Sequence, residues 1–89
     1  MTYNEIEEIL NSHVGEYGKY DKNIVKDPFL AGLNIISNLS IKRNYVCEHD
    51  KFYASDFEDM PDITKEYIIT LNKLGWSIDI EYGCWFKHV

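Results

Sequence analysis

Tyr45-Val46-Cys47-Glu48-His49-Asp50-Lys51-Phe52-Tyr53-Ala54 is the stretch whose reading decides the fold. Two short runs rich in β-branched and aromatic residues flank His49-Asp50, the pattern of an antiparallel hairpin with a two-residue turn. That register sets Glu48 opposite Lys51, Cys47 opposite Phe52 and Val46 opposite Tyr53. Opposite charges at the closing pair are mildly favourable. The chain therefore contains a sheet, and the helical patterns on either side of the hairpin supply what covers it.

Upstream, Thr2-x-x-Glu5 is a capping box. Tyr3, Ile6, Leu10 and Val14 recur at helical spacing with Ile9 beside them, which predicts a helix over about residues 3–14 stopped by Gly15. Residues 15–26 read as a loop carrying Tyr17 and Tyr20. Asp27-Pro28 gives an N-cap followed by proline at the first helical position. Phe29, Leu30, Leu33, Ile36 and Leu39, with Ile35, then predict a broad-faced helix over 28–39.

Downstream, residues 55–61 form an acidic connector, and Asp62 is a natural N-cap for a third helix. Ile63, Tyr67, Leu71 and Leu74 make its stripe, with Ile68 alongside; Gly75 ends it, and Trp76 is placed to fold back on Leu71 in a Schellman cap. The alternation in Trp76-Ser77-Ile78-Asp79-Ile80, then Cys84-Trp85-Phe86-Lys87-His88-Val89, predicts a second hairpin. A three-residue loop, Glu81-Tyr82-Gly83, would set Ile80 opposite Cys84, Ile78 opposite Phe86 and Trp76 opposite His88, all on the core face. Trp85 and Lys87 would then point away from the helices. A two-residue loop would bury Trp85 instead. The first register is preferred because both isoleucines then have apolar partners. The order ααββαββ predicts an α+β fold, an antiparallel sheet with helices packed on one face. Eighty-nine residues make one domain, 1–89, with one modest core.

Hydrophobic content of 45% is ample for folding, and the net charge is −6. That charge disfavours direct binding of nucleic acid or of an anionic membrane surface and favours basic partners. No apolar run reaches the roughly 20 residues a membrane span needs. The polar N-terminus does not read as a signal peptide, so the chain is expected in the cytoplasm, with Cys47 and Cys84 as reduced thiols.

Four constellations carry possible chemistry. Cys47, His49, Cys84 and His88 are the ligand types zinc prefers, the alternative reading of this chain as a small zinc protein. In one strand, however, positions 84 and 88 would be roughly 13 Å apart, too far for one ion. A thiol–imidazole pair drawn from the same residues or His13 lacks any local signature, and Cys84 on the core face would be inert. A nuclease built on Asp56, Glu58, Asp59 and Asp62 with Lys51 or Lys65 would lack the positive charge that holds phosphate. The fourth constellation is the segment from Glu48 to Asp62, where Glu48, Asp50, Asp56, Glu58, Asp59 and Asp62 face only one cation, Lys51, and Phe52, Tyr53 and Phe57 are interleaved. It reads either as a solubilising, helix-capping surface or as a docking surface in which carboxylates imitate phosphates and aromatics supply anchors. Tyr17, Tyr20 and Tyr82, in loops, suit an interface as well.

Leu71-Asn72-Lys73-Leu74-Gly75-Trp76, followed by Asp79, Glu81 and Cys84-Trp85, resembles the ending of small acidic orphan proteins of phages and prophages. The likeness covers about the last twenty residues. Anti-CRISPR proteins and other inhibitors of host nucleases are among such proteins. The resemblance implies such a role and carries over no functional residue.

The expectation is therefore a non-enzymatic binding protein without a cofactor, acting in a host cell on a basic, nucleic-acid-handling protein such as a CRISPR nuclease. The expected contact residues are Asp50, Asp56, Glu58, Asp59 and Asp62, with Tyr53, Phe57 and Trp85 as anchors. A self-associating structural protein, using an edge strand or Trp85 to form a homodimer, is a further alternative.

Overall fold

In the computed structural model, which describes residues 1–89, three helices and four strands follow in the order ααββαββ. They are α1 (Tyr3–Ser12), α2 (Pro28–Leu39), β1 (Tyr45–Glu48), β2 (Lys51–Asp56), α3 (Lys65–Lys73), β3 (Ser77–Asp79) and β4 (Cys84–His88). The strands form one antiparallel sheet in the order β1-β2-β4-β3. The fold is α+β. No helix is long and apolar enough to cross a membrane.

Alternation along the strands divides the sheet into two faces. Cys47, Phe52 and Lys87 form one row of the helix-facing side, and Tyr45, Ala54, Trp85 and Ile78 form the next. Ala54 and Trp85 join Ile6 of α1, Ile36 of α2 and Ile68 and Leu71 of α3 in a single core, so all three helices cover this face. Trp76 closes the core's edge. It stacks on Phe29, meets Phe52 edge-on, and donates its Nε1–H to the Pro28 carbonyl at 3.4 Å. Gly32 lies directly under its indole, where a Cβ would overlap Nε1 and Cδ1. Glycine here is a matter of space.

Several local devices match the sequence reading. Thr2 and Glu5 form the reciprocal capping box of α1, and Asp27 caps α2 with Pro28 in its first turn. The first hairpin has the expected register. At the end of α3, Trp76 N–H donates to Leu71 O at 2.9 Å and Gly75 N–H to Asn72 O at 3.0 Å, with Gly75 at φ +84. That is the Schellman arrangement. Lys87 adds a cation to the same terminus, its Nζ 3.2 Å from Leu74 O.

Four expectations need correction. α1 ends at Ser12, two residues early: Asn72 Nδ2 donates to His13 O at 2.8 Å and draws the chain towards α3, and Val14 is left outside the stripe and exposed. α3 begins at Lys65 and is capped by Thr64, not Asp62, because Met60 and Ile63 are buried in the preceding turn and hold Asp62 outside the helix. Tyr67 consequently lies on its exposed side. In the second hairpin the pairs are Ser77–Phe86, Ile78–Trp85 and Asp79–Cys84 around a four-residue turn, Ile80–Gly83. The expected register is off by one. Trp85 and Lys87 therefore face the helices, while Cys84 and Phe86 face away. Burying a tryptophan removes far more apolar surface than burying Ile80, which is 68% exposed in the turn.

The fourth correction is in β2, which runs on to Asp56 where a connector was expected from residue 55. Ala54 pairs with Trp85, but Asp56 pairs with Cys84, so Ser55 is the extra residue of a β-bulge. It is buried at φ +36, a conformation few non-glycine residues adopt. Its N–H donates to Asn44 O at 2.8 Å.

Candidate acidic and aromatic docking face

No helix covers the other face of the sheet. Its rows are built from Val46, Tyr53, Phe86 and Ser77, and from Glu48, Lys51 and His88, with Cys84 and Asp79 following. Strict alternation would send Asp56 to the helix side with Ala54. The bulge at Ser55 changes the phase, and Asp56 lands beside Cys84 on the uncovered face.

Aromatic rings line this face. Tyr53 meets Tyr82 edge-on at 5.2 Å between centroids and 78°, and lies 6.0 Å from Phe86. Lys51 Nζ sits 5.0 Å from the Phe86 centroid, at the end of the face remote from Asp56. The hairpin turn projects Tyr82 outward. Asp79 organises that turn, its Oδ1 accepting from Tyr82 N–H at 3.0 Å and its carbonyl from Gly83 N–H at 2.8 Å.

Two concavities meet here. One, of about 230 Å³, is lined by Asn44, Val46, Glu48, Tyr53, Asp56, Tyr82 and Cys84, along with Ala54. The second, on the other side of the turn, is lined by Tyr3, Asp56, Phe57, Glu58 and residues Ile80–Gly83. Asp56 and Tyr82 belong to both and form the ridge between them. Glu48, Glu58 and Glu81 supply the other carboxylates, and no lysine or arginine lines either groove. Phe57 is fixed by its N–H to Gly83 O at 3.1 Å and by packing on Tyr3 at 5.8 Å.

The local field is negative. Burial first, then Asp79 and Asp56, push the Cys84 thiol up to about 11. Burial, then Asp79, Tyr82 and Glu48, raise the Tyr53 phenol above its ordinary value. Burial opposes charge of either sign, so the attraction for a cation comes from the carboxylates Asp79, Asp56 and Glu48 alone.

Of the residues expected from sequence, Tyr53, Asp56, Phe57 and Glu58 come together on these grooves. The other four do not join them. Asp50 lies in the β1–β2 turn, at the opposite end of β2. Asp59 and Asp62 line neither groove; the Asp59 carbonyl accepts from Ile41 N–H, and Asp62 stands exposed in its turn. Trp85 is fully buried and cannot anchor a partner. Glu48, already part of the acidic segment, lines the first groove instead of serving only in the hairpin. Tyr3, Asp79, Ile80, Glu81 and Tyr82 complete the site. Tyr82 carried a sequence signal as a tyrosine in a loop, and Asp79 and Glu81 only as acids of the C-terminal hairpin.

The zinc set is not assembled. Cys47 is on the helix-facing side of the sheet and Cys84 on the other, and no group of three or more His, Cys, Asp or Glu side chains is close enough to hold an ion. Cys84 is not on the core face as expected, yet only 6% of it is exposed. A covered thiol with a raised pKa is a poor nucleophile. Cys47 is exposed. No protein-family model, curated protein or solved structure matches the chain.

Proposed function

We propose that the protein is a non-enzymatic binding module that docks its uncovered sheet face on a basic surface of another protein. The observation that carries this reading is the pair of grooves sharing Asp56 and Tyr82, edged by carboxylates and lined by no cation. A lysine or arginine side chain entering either groove would meet carboxylates at the rim and aromatic rings along its stem, the combination that favours such groups at interfaces. Tyr82, 56% exposed, and Ile80 supply apolar area that becomes buried only on docking.

The partner class follows from charge. A protein that handles nucleic acid presents a basic track for phosphates, and an acidic surface of this kind competes for it. Occupation of that track makes the module an inhibitor. The C-terminal resemblance to phage proteins extends the reading to a mobile-element inhibitor of a CRISPR nuclease or a related host enzyme.

The test uses purified RNA-guided nucleases and measures DNA binding and cleavage with added wild-type protein or an Asp56→Ala/Glu58→Ala/Glu81→Ala variant. Inhibition by the wild type, lost in the variant and weakened by salt, is expected. Circular dichroism confirms that the variant is folded. Equal inhibition by both proteins would sink the assignment of these residues. No inhibition of any nuclease, together with no binding to their basic subunits, would sink the partner class.

A further inference from the structure

The two edges of the sheet are not equivalent. β3 is three residues long, and Tyr3, Glu7 and Leu10 of α1 share a groove with its Ser77 and Ile78. β1 is bare: all four of its residues are exposed, as is the whole chain from Ile41 to Asp50. Natural sheets protect such an edge with proline, lysine, a bulge or a covering element. β1 has no proline or lysine, its only charge, Glu48, stands at its end, and the bulge of this hairpin lies in β2.

Backbone alternation says which groups are free. Asn44 O accepts from Ser55 N–H, so Asn44 faces β2, and Val46 and Glu48 share its direction. Tyr45 and Cys47 therefore turn both N–H and C=O towards the open edge. Charges mark the two ends of the segment. Lys42 and Arg43 precede the strand, and Glu48 and Asp50 close it. Neither Lys42 nor Asp50 has an ion-pair partner in its own chain.

We propose that β1 pairs antiparallel with β1 of a second copy of this chain about a two-fold axis at Val46. Tyr45 then stands opposite Cys47 of the second copy, and each pair exchanges two backbone hydrogen bonds. Val46 packs against Val46, Asn44 faces Glu48, and Lys42 faces Asp50. Parallel pairing would set like charges end to end; the antiparallel register sets opposite charges together. The half-exposed Tyr45 and Val46 become covered. The product is a continuous eight-stranded sheet whose uncovered faces lie side by side, so two sets of acidic grooves point the same way. This pairing does not depend on the partner proposed above.

Solution mass is measured on the full chain by sedimentation over a wide concentration range, with reductant present so that Cys47 cannot crosslink. The expected mass rises with concentration to twice 10.5 kDa. Cys47→Pro removes an outward N–H without touching the β1–β2 ladder, and abolishes the dimer. Lys42→Asp weakens it roughly tenfold, since two exposed pairs are reversed, and adding Asp50→Lys restores it. If Cys47→Pro does not fold, the charge exchange decides alone. A protein that stays monomeric throughout overturns the proposal, and so does a dimer indifferent to Lys42→Asp.

Discussion

The two faces of the sheet are made from alternate residues of the same strands, and they meet opposite fates. On one side Phe52, Ala54, Ile78 and Trp85 lie under three helices; on the other Tyr53, Phe86, Asp56 and Asp79 are covered by none, and only Tyr3 at the start of α1 reaches the rim beside Asp56. Both sides are aromatic, so hydrophobicity does not separate them. Carboxylates do: the covered strand rows carry none, and their one cation, Lys87, caps α3, while acids border the grooves of the uncovered side, whose lysine, Lys51, stands at the far end over Phe86. An aromatic face left uncovered and ringed by acids is cheap to solvate and ready to be buried by a basic partner.

The contrast breaks most visibly under truncation. Trp85→Ala is expected to destabilise by about 3–5 kcal/mol in chemical denaturation, because a fully buried indole leaves a cavity. Gly32→Ala, which drives a methyl into Trp76, costs about 1–3 kcal/mol. Tyr82→Ala, on the other face, should stay within about 0.5 kcal/mol of wild type. If Tyr82→Ala were as damaging as Trp85→Ala, the division of labour between the faces would fail.

A smaller effect concerns the helix that roofs the covered face. Thr64→Ala should cost about 1 kcal/mol by removing the cap of α3, and Asp62→Ala should cost almost nothing. The reverse ranking would restore Asp62 as the cap.

The smallest effect separates the thiols. Ellman's reagent at pH 8 should modify Cys47 promptly and Cys84 only on unfolding. The folded Cys84 thiol holds its proton up to about 11, whereas the ordinary value is 9.0. The folded state then binds more protons than the unfolded state between those values. Its contribution is complete below about pH 9 and is lost as pH rises towards 11. Wild type should lose stability more steeply over that range than Cys84→Ala.

What could be read in advance was local. The first hairpin announced its register because a two-residue turn and the Glu48–Lys51 pair agree, and the end of α3 was legible because Gly75-Trp76 satisfies a short-range pattern. The second hairpin was not, since its register turns on whether Ile80 or Trp85 enters a core assembled by distant helices. The start of α3 was missed because burial of Ile63 overrides the capping preference of Asp62. Half of the candidate site was hidden for a topological reason: Glu81 and Tyr82 adjoin Asp56 only because β4 lies next to β2. Nothing in Ser55 itself announces a bulge, a place where glycine is commoner.

That bulge decides the side on which Asp56 emerges. Deleting Ser55 would place Asp56 directly after Ala54, where plain alternation already sets it opposite Cys84 on the uncovered face, whereas at the present length only the bulge keeps it there. The backbone conformation of Ser55 is therefore what the ridge depends on, and a variant that kept its length but straightened the strand there would exchange an acidic outer ridge for a charge facing the core.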